Sequence, residues 1–134
     1  MKALLKKHIS LLPFGVTLTL SVFWVLFFYD NGLERLFVTA DQRGYYQYEK
    51  ENYLDAAKDF ENISFKGASY FRAAEFKNAM SIYQNLSSKE DTYNLGNAYV
   101  MLGEYDNAIE TYERAVEIDP DFKEAQENLV VARA

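Results

Sequence analysis

The stretch Asp91–Pro120, DTYNLGNAYVMLGEYDNAIETYERAVEIDP, decides the fold of this chain. Its apolar residues recur at helical intervals in two blocks, about Glu90 to Leu102 and about Tyr105 to Ile118, which predicts two amphipathic helices. Gly103-Glu104 between the blocks favours a tight turn, and Asp119-Pro120 stops the second helix. Catalytic groups do not follow such a spacing, so the pattern indicates packing of one helix on another.

Small and aromatic residues share the inner faces of the two predicted helices. Gly96, Ala108 and Ala115 would let the helices approach closely, and tyrosines would fill the space beside them. This combination resembles the tetratricopeptide repeat (TPR), a helix pair that stacks on copies of itself. Thr92 departs from the family pattern, which often has tryptophan there. The positions that match are Leu95, Gly96, Tyr99, Gly103, Tyr105, Ala108, Tyr112, Ala115 and Pro120.

One such helix pair cannot bury its apolar face alone, so further repeats are expected. Gly44 and Gly67 mark two related segments upstream, the second with Ala79 and Tyr83 at the packing positions. From Gly44 to Gly67 is 23 residues and from Gly67 to Gly96 is 29, against roughly 34 for the family, so these repeats are shortened.

The sequence therefore predicts an all-α fold, a short TPR solenoid of about six helices that ends in a capping helix. Residues 41–134 would form this TPR-like domain. Its predicted parts are shortened repeats at about 41–63 and 64–88, a full repeat at about 89–122, and the cap at 122–134.

The N-terminal part has a different character. Residues 9–29 contain no charged side chain, and about 20 such residues are enough for a helix to cross a bilayer. We expect residues 1–30 to form a basic N-terminus with a single transmembrane helix, followed by a juxtamembrane connector at 31–40. The alternatives are a cleaved signal peptide, for which the apolar run is long, and a buried hairpin helix.

Charge predicts how such a span would be oriented. Lys2, Lys6 and Lys7 precede it, whereas Asp30 and Glu34 follow. The positive-inside rule then places the N-terminus in the cytoplasm. The expected location is the bacterial inner membrane, with the repeat domain in the periplasm.

Composition disfavours several classes of function. There is no cysteine and His8 is the single histidine, so metal sites, cofactor sites and His-dependent catalysis are not expected. After position 29 the chain has 11 basic and 20 acidic residues, which argues against nucleic acid. We expect neither an enzyme nor a small-molecule substrate.

A TPR solenoid binds protein partners on its concave surface, which the first helix of each repeat lines. The amide of Asn97 is suited to hold a peptide backbone; the alternative is that it is merely solvated. Tyr93 and Met101 stand where a clamp for a peptide carboxylate would need basic residues, so that type of clamp is disfavoured. The predicted groove residues are Phe65, Ala68, Phe71, Arg72, Tyr93, Asn94, Asn97, Val100 and Met101.

The order of segments resembles the membrane-span-plus-repeat part of the bacterial aerotolerance (Bat) proteins. The motifs that carry this resemblance are Leu36-Phe37-Val38-Thr39-Ala40-Asp41-Gln42-Arg43-Gly44, Phe65-Lys66-Gly67 with Tyr70-Phe71-Arg72, and Tyr93-Asn94-Leu95-Gly96-Asn97-Ala98. The resemblance implies a scaffold in an envelope complex, with von Willebrand A proteins and a MoxR-type ATPase as partners. The von Willebrand A domain itself is not present in this sequence, so no metal site is implied.

A second functional interpretation stays open beside the scaffold. The protein would then be a structural subunit of an envelope biogenesis or secretion machine, in which the membrane span is the essential contact.

Overall fold

The computed structural model of the protein describes residues 19–25 and 38–134. The chain divides into two compact units, Met1–Thr39 and Ala40–Ala134. In the first unit residues 19–25 are helical, and Leu20, Val22, Phe23, Trp24 and Val25 are all more than half exposed. Within the described residues, no helix has the length and apolar character that a membrane crossing requires. The rest of the predicted span at 9–29, and most of the 31–40 connector, lie outside the described residues.

The second unit is a succession of helices, each packed on the next one along the chain. The described part of the chain contains no strand, which agrees with the predicted all-α solenoid of six helices and a cap. The helices are α1 (Ala40–Glu49), α2 (Tyr53–Asp59), α3 (Ile63–Arg72), α4 (Phe76–Tyr83), α5 (Lys89–Leu102), α6 (Tyr105–Ile118) and α7 (Lys123–Ala132).

Helices α1 to α6 form three hairpins that share one register. In each hairpin a glycine is followed seven residues later by a turn residue with positive φ, then by a buried alanine and finally by a buried aromatic ring. The spacings between these four positions are identical in all three hairpins. The sets are Gly44, Glu51, Ala56 and Phe60; Gly67, Ala74, Ala79 and Tyr83; and Gly96, Gly103, Ala108 and Tyr112.

The glycine at the first position makes room for the aromatic ring at the last. A Cβ atom on Gly96 would lie 2.5 Å from the ring of Tyr112, and one on Gly67 would lie 2.8 Å from Tyr83. Gly44 faces Phe60 in the same way, at 2.7 Å. A glycine inside a helix costs roughly 0.5–1 kcal/mol relative to alanine, and here the close approach of the ring requires it.

The shortening of the first two repeats has a definite place in the chain. Because all three hairpins have the same spacing from the glycine to the aromatic ring, much of the length that the first two repeats lack is missing after the ring. Helices α2 and α4 have 7 and 8 residues, whereas α6 has 14. After α2 the chain returns at once to α3, and Asp41 supports this connection. Its Oδ1 accepts hydrogen bonds from the backbone N–H groups of Glu61 and Asn62, at 2.8 and 2.9 Å.

Most residues predicted to pack between helices lie in the core. All of these positions are buried: Ala79, Tyr83, Leu95, Ala108, Tyr112 and Ala115. Tyr99 packs against the cluster formed by Ala79, Tyr83 and Leu95. Gly103 ends α5 in the left-handed conformation, with φ of 76°. Pro120 is exposed in the turn before α7.

Tyr105 was predicted to pack between the helices, and the structure places it differently. It is the first residue of α6 and is 57 % exposed. Its ring stands at the opening between the helices instead of inside their contact.

Candidate functional site

An open cavity of about 600 Å³ lies on the third hairpin, between the end of α3 and the last helix. Helix α5 forms its middle and α7 its far wall. The lining side chains are apolar or uncharged polar. They are Phe71 from α3, Asn97, Val100 and Met101 from α5, Tyr105 and Tyr112 from α6, and Asn128, Val131, Ala132 and Ala134 from α7 and the residues after it.

Three polar side chains meet at the cavity wall and tie α7 to the hairpin. Oδ1 of Asn97 accepts from the hydroxyl of Tyr112 at 2.7 Å and from Nδ2 of Asn128 at 3.0 Å. Asn128 also donates to the hydroxyl of Tyr93 at 3.2 Å. The cap is therefore positioned by specific hydrogen bonds and not by apolar contact alone.

The amide nitrogen of Asn97 has a different role from the amide oxygen. An asparagine amide has two N–H donors besides its oxygen. In the part of the chain that the structure describes, no hydrogen bond is donated by Nδ2 of Asn97. Its oxygen is already satisfied, so what Asn97 offers to a ligand in the cavity is a pair of donors.

The cavity has an apolar rim that faces solvent. Met101 and Tyr105 are about half exposed, and Val131 is 74 % exposed. Contiguous exposed apolar side chains beside a concave surface are typical of sites that contact another protein.

Two basic groups close to this region are engaged in ion pairs. Lys89, at the start of α5, pairs with Asp119, directly after α6, and Arg133 pairs with Glu113. The hydrogen bond from Lys89 lowers the pKa of Asp119, and the same bond raises the pKa of Lys89. Burial raises the pKa of Tyr112, whose hydroxyl is the donor to Asn97.

Four of the predicted groove residues come together in this cavity: Phe71, Asn97, Val100 and Met101. Phe65 lies elsewhere, because its ring packs on Tyr45 and Phe60 with centroid distances of 5.0 and 5.4 Å.

The other four predicted groove residues, which include Ala68 on α3, also lie outside the cavity. Arg72 turns back to Tyr53, with Nη2 donating to the phenol oxygen at 3.0 Å and the guanidinium 5.2 Å from the ring centroid. Tyr93 is held between Tyr112 and Phe122, at 5.9 and 5.2 Å. Asn94 is half-buried on α5 and does not line the cavity.

The residues that sequence reasoning missed come mainly from the far wall. Tyr112 was expected to be packing only, and its hydroxyl also reaches Asn97. Asn128 and Val131 were not expected in the groove, although the apolar periodicity after Phe122 indicated a helix there. The side of that helix that turns toward α5 depends on how it folds back over α6, and periodicity does not specify this.

Comparison with known proteins agrees with this architecture. The tetratricopeptide repeat family matches residues 93–122, so the third hairpin is a TPR. Among solved structures, the first TPR of Spaghetti (RPAP3) bound to the HSP90 peptide SRMEEVD superposes with a TM-score of 0.62 and 22% sequence identity. The match covers 70% of this chain and 87% of that one. No curated protein matches the sequence. These findings show a TPR fold.

Proposed function

We propose that this protein is a membrane-anchored TPR scaffold whose groove binds a segment of a protein partner. The observation that carries the proposal is the 600 Å³ cavity, which joins an exposed apolar rim to the two donors of Asn97. That combination suits an extended peptide, because apolar side chains can fill the cavity while a main-chain carbonyl accepts from the amide. The structural neighbour is also a TPR that holds a peptide.

The groove is tested by site-specific photo-crosslinking in intact cells. A photoreactive residue at Met101, in the groove, is compared with one at Glu110, which is exposed on α6 and does not line the cavity. We expect the Met101 probe to crosslink to one partner whose crosslinked peptide is mapped by mass spectrometry and whose crosslink is lost in the Glu110 variant. Equal products from both positions, or none from either, would contradict a groove binder.

The anchor belongs to the same proposal. Residues 9–29 carry no charge, and the described part of this segment is helical with exposed apolar side chains. We infer that it spans the bacterial inner membrane once and leaves the repeat domain in the periplasm.

The natural absence of cysteine allows a direct test of this orientation. A membrane-impermeant maleimide should label Ser87→Cys in cells whose outer membrane has been permeabilised, and Ala3→Cys only after lysis. Labelling of both before lysis, or of neither, would contradict the proposed topology.

The envelope complex of the aerotolerance type is the more specific form of the proposal. It rests on the sequence resemblance described above, which includes the motif around Thr39-Ala40-Asp41-Gln42. Its partners would be von Willebrand A proteins and, across the membrane, a MoxR-type ATPase. A von Willebrand A protein among the Met101 crosslinks is the expected result.

The alternative is a structural subunit of an envelope machine that is held mainly by its span. Deleting residues 1–30 separates the two: a groove binder keeps its partner in pull-down as a soluble fragment, whereas a subunit held by its span loses it.

A further inference from the structure

We propose that the groove selects a peptide with an apolar side chain flanked by basic residues. This inference rests on the proposed function, since it names the chemistry of the partner that the same groove would take. It draws on three independent features: the apolar cavity, the amide donors of Asn97, and the charge of the surrounding helices.

The cavity accommodates a bulky aliphatic or aromatic side chain. Val100 and Met101 form its α5 side and Val131 its α7 side. Methionine is flexible and polarizable, so Met101 can adapt to side chains of different shape. None of the lining side chains is charged, and a charged side chain inserted here would lose hydration without gaining a side-chain partner.

The main chain of the peptide would be held beside that side chain. Asn97 uses its oxygen within the protein and presents donors, so it recognises a carbonyl oxygen. Every peptide carries such an acceptor, which makes this contact a positioning device and leaves selectivity to the side chains.

Charge provides the selectivity. Residues 89–134, which form most of the groove, include four basic and eleven acidic residues, a net charge of −7. Two of the four basic residues, Lys89 and Arg133, are already paired with carboxylates. Surface potential of this sign attracts cations and repels acidic segments over a Debye length of about 8–10 Å. An acidic peptide would meet repulsion and no available clamp, whereas lysines or arginines beside the inserted side chain would be attracted.

The test compares two labelled peptides on the full 134-residue chain in mild detergent. Both have a central leucine pair; one has flanking lysines and the other has glutamates at the same positions. Fluorescence anisotropy should show the lysine peptide binding at least about tenfold more tightly, a difference of about 1.4 kcal/mol. The preference should shrink at high salt, where the Debye length falls to about 3 Å.

A matched pair of variants locates the effect. Met101→Lys adds a positive charge inside the groove at an exposed residue, and Gln84→Lys adds the same charge at an exposed residue that does not line it. We expect Met101→Lys to weaken the lysine peptide about tenfold and to strengthen the glutamate peptide, with Gln84→Lys close to wild type.

Each other outcome is decisive. If the glutamate peptide binds as tightly as the lysine peptide, and Met101→Lys still alters binding, the groove is a peptide site and the inferred charge preference is overturned. If Met101→Lys and Gln84→Lys have equal effects, the attraction is a general property of the acidic domain and the inference fails. If neither peptide binds, the inference fails, and loss of the partner crosslink at Met101 would show that the groove function has failed too.

Discussion

The third hairpin and the two shortened hairpins before it follow the same packing scheme and have different surfaces. All three place a glycine opposite a buried aromatic ring at the same spacing. Only α6 continues beyond its ring, from Tyr112 to Ile118. This extension brings Glu113 to Arg133, and the residue after it, Asp119, reaches Lys89. The comparison teaches that the segment from the glycine to the aromatic ring forms the hairpin. The part of the helix after the ring forms the surface on which the next helix packs.

The residue after each glycine explains why the cavity forms on the third hairpin. It is Tyr45 in the first, Ala68 in the second and Asn97 in the third. Tyr45 packs against Phe60 and Phe65, with centroid distances of 5.3 and 5.0 Å, and this aromatic cluster occupies the position that is polar in the third hairpin. Asn97 instead binds Tyr112 and Asn128 through its oxygen, which leaves its donors for a ligand.

The largest expected effect tests whether the glycine-to-ring contact is common to both regions. Gly96→Ala places a Cβ 2.5 Å from a ring that is 1 % exposed, and overpacking of this kind costs typically 1–3 kcal/mol. We expect about 3 kcal/mol for Gly96→Ala and a similar loss for Gly67→Ala, measured by chemical denaturation of residues 38–134 with far-UV circular dichroism. A loss below about 0.5 kcal/mol in either variant would mean that the contact is not shared.

Substitutions at the turn residue should have the next largest effect on stability. The sign of that effect should differ between the third hairpin and the second. Gly103 has φ of 76°, while Ala74 occupies the equivalent position at 60°. A left-handed conformation costs a non-glycine residue roughly 1–2 kcal/mol. Gly103→Ala should therefore destabilise by about that amount, since no neighbouring atom lies within 4 Å of the added Cβ and only the backbone strain remains. Ala74→Gly should raise the denaturation midpoint; a lower midpoint would show that the turn at Ala74 is not strained.

The tyrosine hydroxyls provide a smaller contrast. Tyr112→Phe removes the donor to Asn97, and a net loss of about 1 kcal/mol is expected. Hydrogen exchange in α7 should become faster, because the same network includes Asn128. Tyr83→Phe is the matched control, as no hydrogen bond of its hydroxyl is found among the described residues, and it should change neither stability nor exchange at neutral pH. If Tyr112→Phe and Tyr83→Phe had equal effects, the hydrogen-bond network of the third hairpin would not contribute specifically to stability.

The smallest effects appear at the extremes of pH and separate the two regions. Burial raises the pKa of Tyr83 well above its ordinary value of 10.0, so above pH 10 the unfolded chain releases a proton that the folded chain retains. Stability must then fall as pH rises. The pKa of Asp119 lies below its ordinary value of 3.8, so its contribution is present above that pH and is lost as pH falls through the folded value.

Variants show which residues give rise to each arm of the pH profile. Tyr83→Phe should flatten the alkaline arm in part, leaving the contributions of Tyr112 and Lys89, whose pKa values are also raised, and Asp119→Asn should flatten part of the acid arm. Thermal unfolding measured across both arms checks this. A profile that Tyr83→Phe leaves unchanged above pH 10 would contradict the burial argument.

Much of the fold could be predicted because its rules are local. Gly96, Ala108 and Tyr112 stand at fixed offsets in the chain, and the sterics of a helix pair require small residues opposite large ones. The bounds predicted for the second helix of the third repeat, Tyr105 to Ile118, are those observed for α6. The membrane span predicted at 9–29, together with its orientation, falls mainly outside the described residues and stays a prediction.

The groove was predicted less completely, for a physical reason. Phe65 and Arg72 were assigned to it by equivalence of position, yet each finds a nearer aromatic partner, Phe60 or Tyr53. Such choices depend on which side chains the shortened repeats bring within reach. Counting along the chain cannot supply those distances.

The amino-acid sequence by itself determined the helices, their common glycine-to-ring spacing and the acidic charge around the third repeat, since each depends on neighbours in the chain or on composition. Only the tertiary structure decided that α7 folds back so that Asn128 reaches Asn97 and Val131 faces Met101 across one cavity. Those residues are about thirty positions apart, and what brings them together is the packing of α6 between them, in which many weak contacts act at once.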